Sequence, residues 1–112
     1  MVAGYVSEFG VGTPGDSSDG QTADGGTTAR PCIAILEDAT LDHWFQVTLY
    51  SSRGGRMIGH PAKLLHCDVG PASWTERSID VTGAGVEALG LSPDSFPTSP
   101  PAGTWAVARE LR

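Results

Sequence analysis

Positive charge is scarce in this sequence. Seven Lys and Arg stand against thirteen Asp and Glu, a formal net charge of -6 over 112 residues, and the basic residues are scattered. Nucleic-acid affinity comes largely from clustered cations, so the composition excludes a phosphate-tracking surface and no nucleic acid is expected as a partner. Long apolar runs are also missing. Nothing approaches the roughly 20 residues that a membrane helix needs, so no membrane partner is expected. The opening "MVAGYVSEFG" has neither the basic start nor the apolar core of a secretory signal, so the chain as given carries no signal peptide.

Cysteine is rare as well, with Cys32 and Cys67 the only two. Their separation fits neither a C-x-x-C redox pair nor a zinc knuckle, and the spacings of His43, His60 and His66 match no zinc motif. No metal and no cofactor are therefore expected. The cysteines themselves have two open states: free thiols packed as small apolar side chains, or a disulfide that implies an oxidising or extracellular life.

What the sequence does have is turn chemistry. Fifteen Gly and eight Pro accompany 39% hydrophobic and only 18% charged residues, which points to a mainly β, globular chain forming a single domain over 1–112. "VAGYVSEF" reads as an opening strand with Val2, Tyr5, Val6 and Phe9 as candidates for burial. Residues 10–30, almost wholly Gly, Ser, Thr and Asp, have no apolar periodicity and read as a long loop. "PCIAIL" is a short buried strand. In "HWFQVTLYS", Trp44, Gln46 and Thr48 alternate with Phe45, Val47 and Leu49 between two faces. Gly54 and Gly55 supply a hairpin. The returning strand "MIGHPAKLLHCD" is interrupted at Gly59 to Pro61, since proline cannot donate to a central ladder. "SIDV" is a brief strand leading to Thr82, a helix N-cap, and Gly90 suits the left-handed stop of a short helix. Residues 91–103, with four prolines in "SPDSFPTSPPAG", form a second loop. "TWAVAREL" closes the chain with Trp105, Val107 and Leu111 on one side. Trp44 and Trp105 lie in strands and are better core candidates than Trp74, which sits in a polar loop.

"CDVGPASWTERSIDVTGAGVEALG" resembles the signature of the double-psi β-barrel of proteins similar to rare lipoprotein A. There, Asp-x-Gly-Pro is followed by a short loop, by Arg-x-Ile-Asp-(Val/Leu)-(Ser/Thr), and by an Ala-rich helix ending in Leu-Gly. The matching residues are Asp68, Gly70, Pro71, Arg77, Ile79, Asp80, Val81, Thr82, Leu89 and Gly90. "YVSEFG" followed by "DGQTADGG" looks like that family's first strand and Gly-rich segment, and "DHWFQVTLYSSRGGR" occupies the place of its central hairpin. The variant with "GPASWT" is similar to small barrel domains of bacteriophage, prophage and bacterial wall-active proteins. The resemblance implies a six-stranded double-psi β-barrel with one short helix, long Gly/Pro-rich loops and a groove for polysaccharide. It also implies that the strands holding Cys32 and Cys67 run side by side, so that the two could pair.

The implied functions divide. In one, the chain engages the peptidoglycan or another glycan of the bacterial cell wall, as a lytic transglycosylase, a glycosidase-like enzyme or a degenerate lytic domain. In the other, it is a non-catalytic structural part of a bacteriophage particle, in tail, baseplate or capsid, contacting other virion subunits. Location follows the function: the cell envelope or extracellular space, or the virion. Glycan cleavage needs a proton donor and a group that activates the nucleophile, which makes Asp68 and Asp80 the catalytic candidates. Their structural alternatives are backbone acceptance in the Gly70-Pro71 turn for Asp68, and an Arg77 pair or a helix cap for Asp80. The glycan-cleaving relatives carry a histidine whose place falls near Leu36 here, where Glu37 and Asp38 are the neighbouring carboxylates. Substrate-binding candidates are therefore Trp74, Arg77, Glu37 and Asp38. Trp74 could serve as a sugar platform, a protein anchor or packing over the barrel end.

Overall fold

The computed structural model describes residues 1–10, 22–36, 40–71, 78–92 and 103–111. Glu37, Asp38, Trp74 and Arg77, and the greater part of both long loops expected from the sequence, lie outside these residues. Six strands form: β1 (Val2–Phe9), β2 (Cys32–Ile35), β3 (Trp44–Tyr50), β4 (Met57–Val69), β5 (Ile79–Thr82) and β6 (Trp105–Glu110). A single short helix, α1 (Gly83–Ala88), stands between β5 and β6 among the described residues. The strands close into a barrel in the order β1-β5-β2-β4-β3-β6, so no paired strand is left with a bare edge.

The barrel is mixed. β1 runs parallel to β5 and β2 parallel to β4, while β1/β6, β2/β5, β3/β4 and β3/β6 are antiparallel. This pairing scheme has an internal symmetry. Exchanging β1, β2 and β3 with β4, β5 and β6, in that order, turns β1/β5 into β4/β2 and β1/β6 into β4/β3, and maps β2/β5 and β3/β6 onto themselves.

Alternation along each strand fills the interior. Val6, Ile33, Ile35, Phe45, Val47, Leu49, Leu64, Ile79, Val81, Ala106 and Ala108 form one cluster, closed by Val86 and Leu89 of the helical segment. On β3 the faces divide as the sequence predicts, with Phe45, Val47 and Leu49 buried and Trp44 and Gln46 exposed. Two expectations about tryptophan are overturned. Trp44 is 45% exposed, and Trp105 points outward against Tyr5 while Ala106 and Ala108 face inward. The interior of a six-stranded barrel is narrow, and two alanines opposite Val47 and Leu49 occupy space that an indole would overfill. Tyr5, expected to be buried, lies outside for the same reason: β1 presents Gly4 and Val6 inward.

The local signals read from the sequence hold. The Thr82 hydroxyl accepts from Gly85 N at 3.0 Å and from Cys32 N at 3.1 Å, and it donates to Arg30 O at 2.8 Å. One side chain thus caps α1 and fastens the start of β2 to the end of β5. The interruption at Gly59 to Pro61 is a bulge, with Val47 opposite Ala62 and Leu49 opposite Ile58. Gly59 has φ +60° there, and a Cβ would stand 2.1 Å from Leu89 O. Its neighbour His60 donates its backbone N–H to that carbonyl, so the bulge docks on the helix end.

Candidate functional site

The register brings the two catalytic candidates onto one line across the barrel. Ala34 of β2 pairs with Asp80 of β5 on one side and with Asp68 of β4 on the other, and Ser7 of β1 pairs with Asp80 beyond. The row is Ser7, Asp80, Ala34, Asp68. Asp80 lies between core residues Ile79 and Val81, so its side chain faces outward, where its carboxylate accepts a hydrogen bond from the Ser7 hydroxyl.

Asp68 reaches this face through an irregularity. Leu64 and His66 point into the barrel, and strict alternation would send Asp68 after them. The register shifts between Ile33 and Ala34, inserting one extra residue on β4, and that residue is Cys67. An inserted residue reverses the inside-outside alternation beyond it, so Asp68 follows Ala34 outward. Two strand spacings then put the Asp68 and Asp80 Cα atoms about 10 Å apart, with a small alanine between them. One Asp68 oxygen accepts from Ala23 N at 3.1 Å and from Val69 N at 2.9 Å, which fixes the carboxylate. That is the backbone-accepting role weighed for it, extended to a second segment of chain.

Three interactions hold the bulge. Cys32 and Cys67 are joined in a disulfide, with Cα atoms 5.8 Å apart and no solvent exposure. His66, fully buried, has Nε2 at 2.8 Å from Asp68 O and 3.3 Å from Ile35 O, and Nδ1 at 2.9 Å from the Thr40 hydroxyl. Carbonyls only accept, so Nε2 donates and Nδ1 receives the Thr40 proton. The imidazole also meets the Phe45 ring edge to face. His66 therefore acts as a structural anchor. His43 is exposed and 3.4 Å from Glu110, and His60 is exposed beside the helix end.

The third support went unnoticed in the sequence. Asp24, whose side chain is only 3% exposed, is paired with Arg30 and accepts from Thr22 Oγ at 2.6 Å and Gly26 N at 3.1 Å. Its backbone N–H donates to Cys67 O and that of Asp42 to His66 O, so the segments around 24 and 42 both lie against the bulge. Burial pushes the Asp24 carboxyl up, but the bonds from Arg30, Thr22, Asp42 and Gly26 outweigh it and hold the group well below the usual carboxylate range. Asp42 shares a hydrogen bond with that carboxyl, which, with some burial, raises its own pKa. Thr, Asp and Arg at 22, 24 and 30 were the available signal, within a stretch whose composition reads only as loop.

Among the described residues no group of three or more His, Cys, Asp or Glu could hold a metal ion. The arrangement can offer two held carboxylates on the outward face, one on each side of the buried Ala34. No family model, curated protein or solved structure matches this chain.

Proposed function

We propose that the chain is a double-psi β-barrel module that engages the glycan of the bacterial cell wall at the face carrying Asp68 and Asp80. The fold reading is supported by two parallel strand pairs exchanged by the internal symmetry of the pairing scheme, together with the Asp68-x-Gly70-Pro71 and Ile79-Asp80-Val81-Thr82 strings. The observation that carries the functional reading is the register that sets both aspartates beside Ala34. A bulge, a buried histidine and a disulfide all favour Asp68 at that position. In this reading Asp80, oriented by Ser7, gives a proton to the glycosidic oxygen. Asp68, oriented by two backbone amides, takes one from the attacking hydroxyl, whether of water or of the sugar itself. Trp74, Arg77, Glu37 and Asp38 belong to the same proposal as contacts to the polymer. A wall-engaging module works in the cell envelope or outside the cell, where its disulfide is stable.

The test is incubation of the purified chain with insoluble peptidoglycan, followed by measurement of bound protein in the pellet and anhydro-sugar or reducing fragments in the supernatant. Release that is lost in Asp80→Asn and Asp68→Asn supports a lytic enzyme. Binding without release supports a degenerate module, and neither outcome overturns the wall reading. Absence of both binding and release does.

One observation favours the second reading, a structural part of a bacteriophage particle. Tyr5, Trp105, Tyr50 and Met57 form a row across β1, β6, β3 and β4, with the Arg53 guanidinium 5.2 Å above the Trp105 ring. Tyr5 and Met57 are exposed, and such a strip suits contact with a neighbouring subunit. Light scattering of the chain alone and with particle proteins tests it, with a strict monomer in both as the contrary result.

A further inference from the structure

A second outward rung, on β4, β3 and β6, has the opposite electrostatic character. Lys63 pairs with Gln46, and Gln46 pairs with Arg109, so two cations flank an amide on one exposed line. Neither cation forms an ion pair among the described residues, in a chain whose formal charge is -6. Glu110, the chain neighbour of Arg109, lies 3.4 Å from His43. Beside the rung is an open cleft of about 240 Å³ lined by Gln46, Pro61, Ala62, Lys63 and Leu111. Trp44, 45% exposed and two residues from Gln46 on the same face, adds an indole wall with the Lys63 ammonium 5.1 Å from the ring centre.

We infer that this cleft binds a carboxylate-bearing sugar, with Lys63 and Arg109 holding the carboxylate, Gln46 a hydroxyl or amide, and Trp44 the apolar face of the ring. Charge complementarity selects the occupant. Two cations with no ion pair among the described residues, in an acidic chain, favour an anionic ring over a neutral one, and an indole beside hydrogen-bonding groups is the combination a pyranose requires. At about 240 Å³ the cleft falls below the roughly 300–1,000 Å³ of drug-sized sites, the scale of a single ring rather than of an oligomer. The cleft is separated from the Asp68 face by the buried Cys32, since Trp44 pairs with Leu65 and Leu65 with Cys32, two residues before Ala34. The inference rests on the wall reading only for the identity of the polymer.

Three probes separate the possibilities: peptidoglycan glycan strands stripped of peptide, which carry free lactyl carboxylates; chitotetraose, a neutral amino-sugar oligomer without that group; and tetragalacturonate, an unrelated carboxylated oligomer. Binding is followed through the Trp44 indole N–H signal, assigned with Trp44→Phe. Both carboxylated probes should shift the signal and chitotetraose should not. Lys63→Gln combined with Arg109→Gln, on exposed positions that leave the core intact, should weaken binding about tenfold or more. Salt near 1 M, where screening extends to about 3 Å, should do the same. Binding of tetragalacturonate alone upholds the cleft and removes the wall glycan as its occupant. Stripped strands binding equally well to the double variant would overturn the cleft while sparing the wall reading. Chitotetraose binding as well as the stripped strands, or no probe binding, would also overturn it.

Discussion

The two parallel strand pairs occupy equivalent places in the pairing scheme and are built differently. β1 and β5 stay in register through four consecutive pairs, Val6 with Ile79 to Phe9 with Thr82, and the Ser7 hydroxyl on Asp80 bonds them across the outer face. β2 and β4 slip by one residue, and the slip is locked by a disulfide, by His66 and by the turn around Asp24 and Arg30. Regular pairing places Asp80 outward at no structural cost. Bringing Asp68 onto the same face requires a defect in the ladder, and a defect needs support from outside the strands. The investment around Asp68 is therefore a sign of a position under a demand beyond folding.

Removing the covalent part should disturb this comparison most. The disulfide closes a loop across a sequence separation of 35, for which loop-closure entropy gives about 3–4 kcal/mol of stabilisation. Cys32→Ala with Cys67→Ala should lower the denaturant midpoint accordingly, and amide exchange should speed up in β2 and the end of β4 before it does in β1 and β5. Uniform acceleration over all six strands would show that the bulge is not held locally.

His66→Leu comes next. The substitution keeps apolar volume against Phe45 but leaves the Thr40 hydroxyl and the Asp68 carbonyl without the imidazole. A loss of about 2–3 kcal/mol is expected from the stranded polar groups. A loss below about 0.5 kcal/mol, the range of ordinary surface changes, would mean that the bulge needs no anchor. Asp68→Asn in the same assay separates fold from function, because the amide oxygen still accepts from Ala23 and Val69. Its stability should remain near that of the parent even where glycan release is lost.

These supports mark the boundary of what the sequence discloses. Local features were legible: the Phe45, Val47, Leu49 alternation, the Gly59 to Pro61 interruption, the Thr82 cap and the Gly90 stop each depend on neighbours within a few residues. The pairing order was not legible from pattern alone, because parallel pairing joins segments tens of residues apart, and no sequence repeat accompanies the symmetry of the two halves. Trp44 and Trp105 misled because hydrophobicity says which residues would gain from burial, whereas the barrel's radius decides which can enter. Asp68 and Asp80 could be singled out by their motif, but that both lie beside Ala34 depends on an inserted residue that strand alternation does not announce. Asp24 was invisible since a clasp made of Thr, Asp and Arg has no periodicity.

The regular pair should respond more weakly. Ser7→Ala removes the hydroxyl that donates to Asp80 on a partly exposed surface, and about 1 kcal/mol is the expected loss. Because the register is set by Val6, Ile79 and Val81 in the core, amide protection across β1 and β5 should keep its pattern. A shifted pattern would show that the Ser7 bond, rather than the core, fixes the alignment.

The smallest effect is expected from the coupled acids beside the bulge, and its sign is set by opposite displacements. Asp24 lies below its ordinary value of 3.8, so its contribution is present above that pH and is lost as pH falls through the lowered value. Asp42 lies above 3.8, so its contribution is complete below that pH and disappears as pH rises through the raised value. At neutral pH an ionised Asp42 therefore stands against an ionised Asp24, and only the proton gained in acid turns the contact into a hydrogen bond. Asp42→Asn supplies that donor at every pH and suits the backbone at φ +68°, a left-handed conformation that asparagine tolerates well. The variant should melt above the parent at pH 7, with the gap narrowing as pH falls through the raised Asp42 value and closed below 3.8. A variant less stable at pH 7, or a gap that widens in acid, would place the strain elsewhere and leave the Arg30 pair as the only electrostatic support of the bulge on that side.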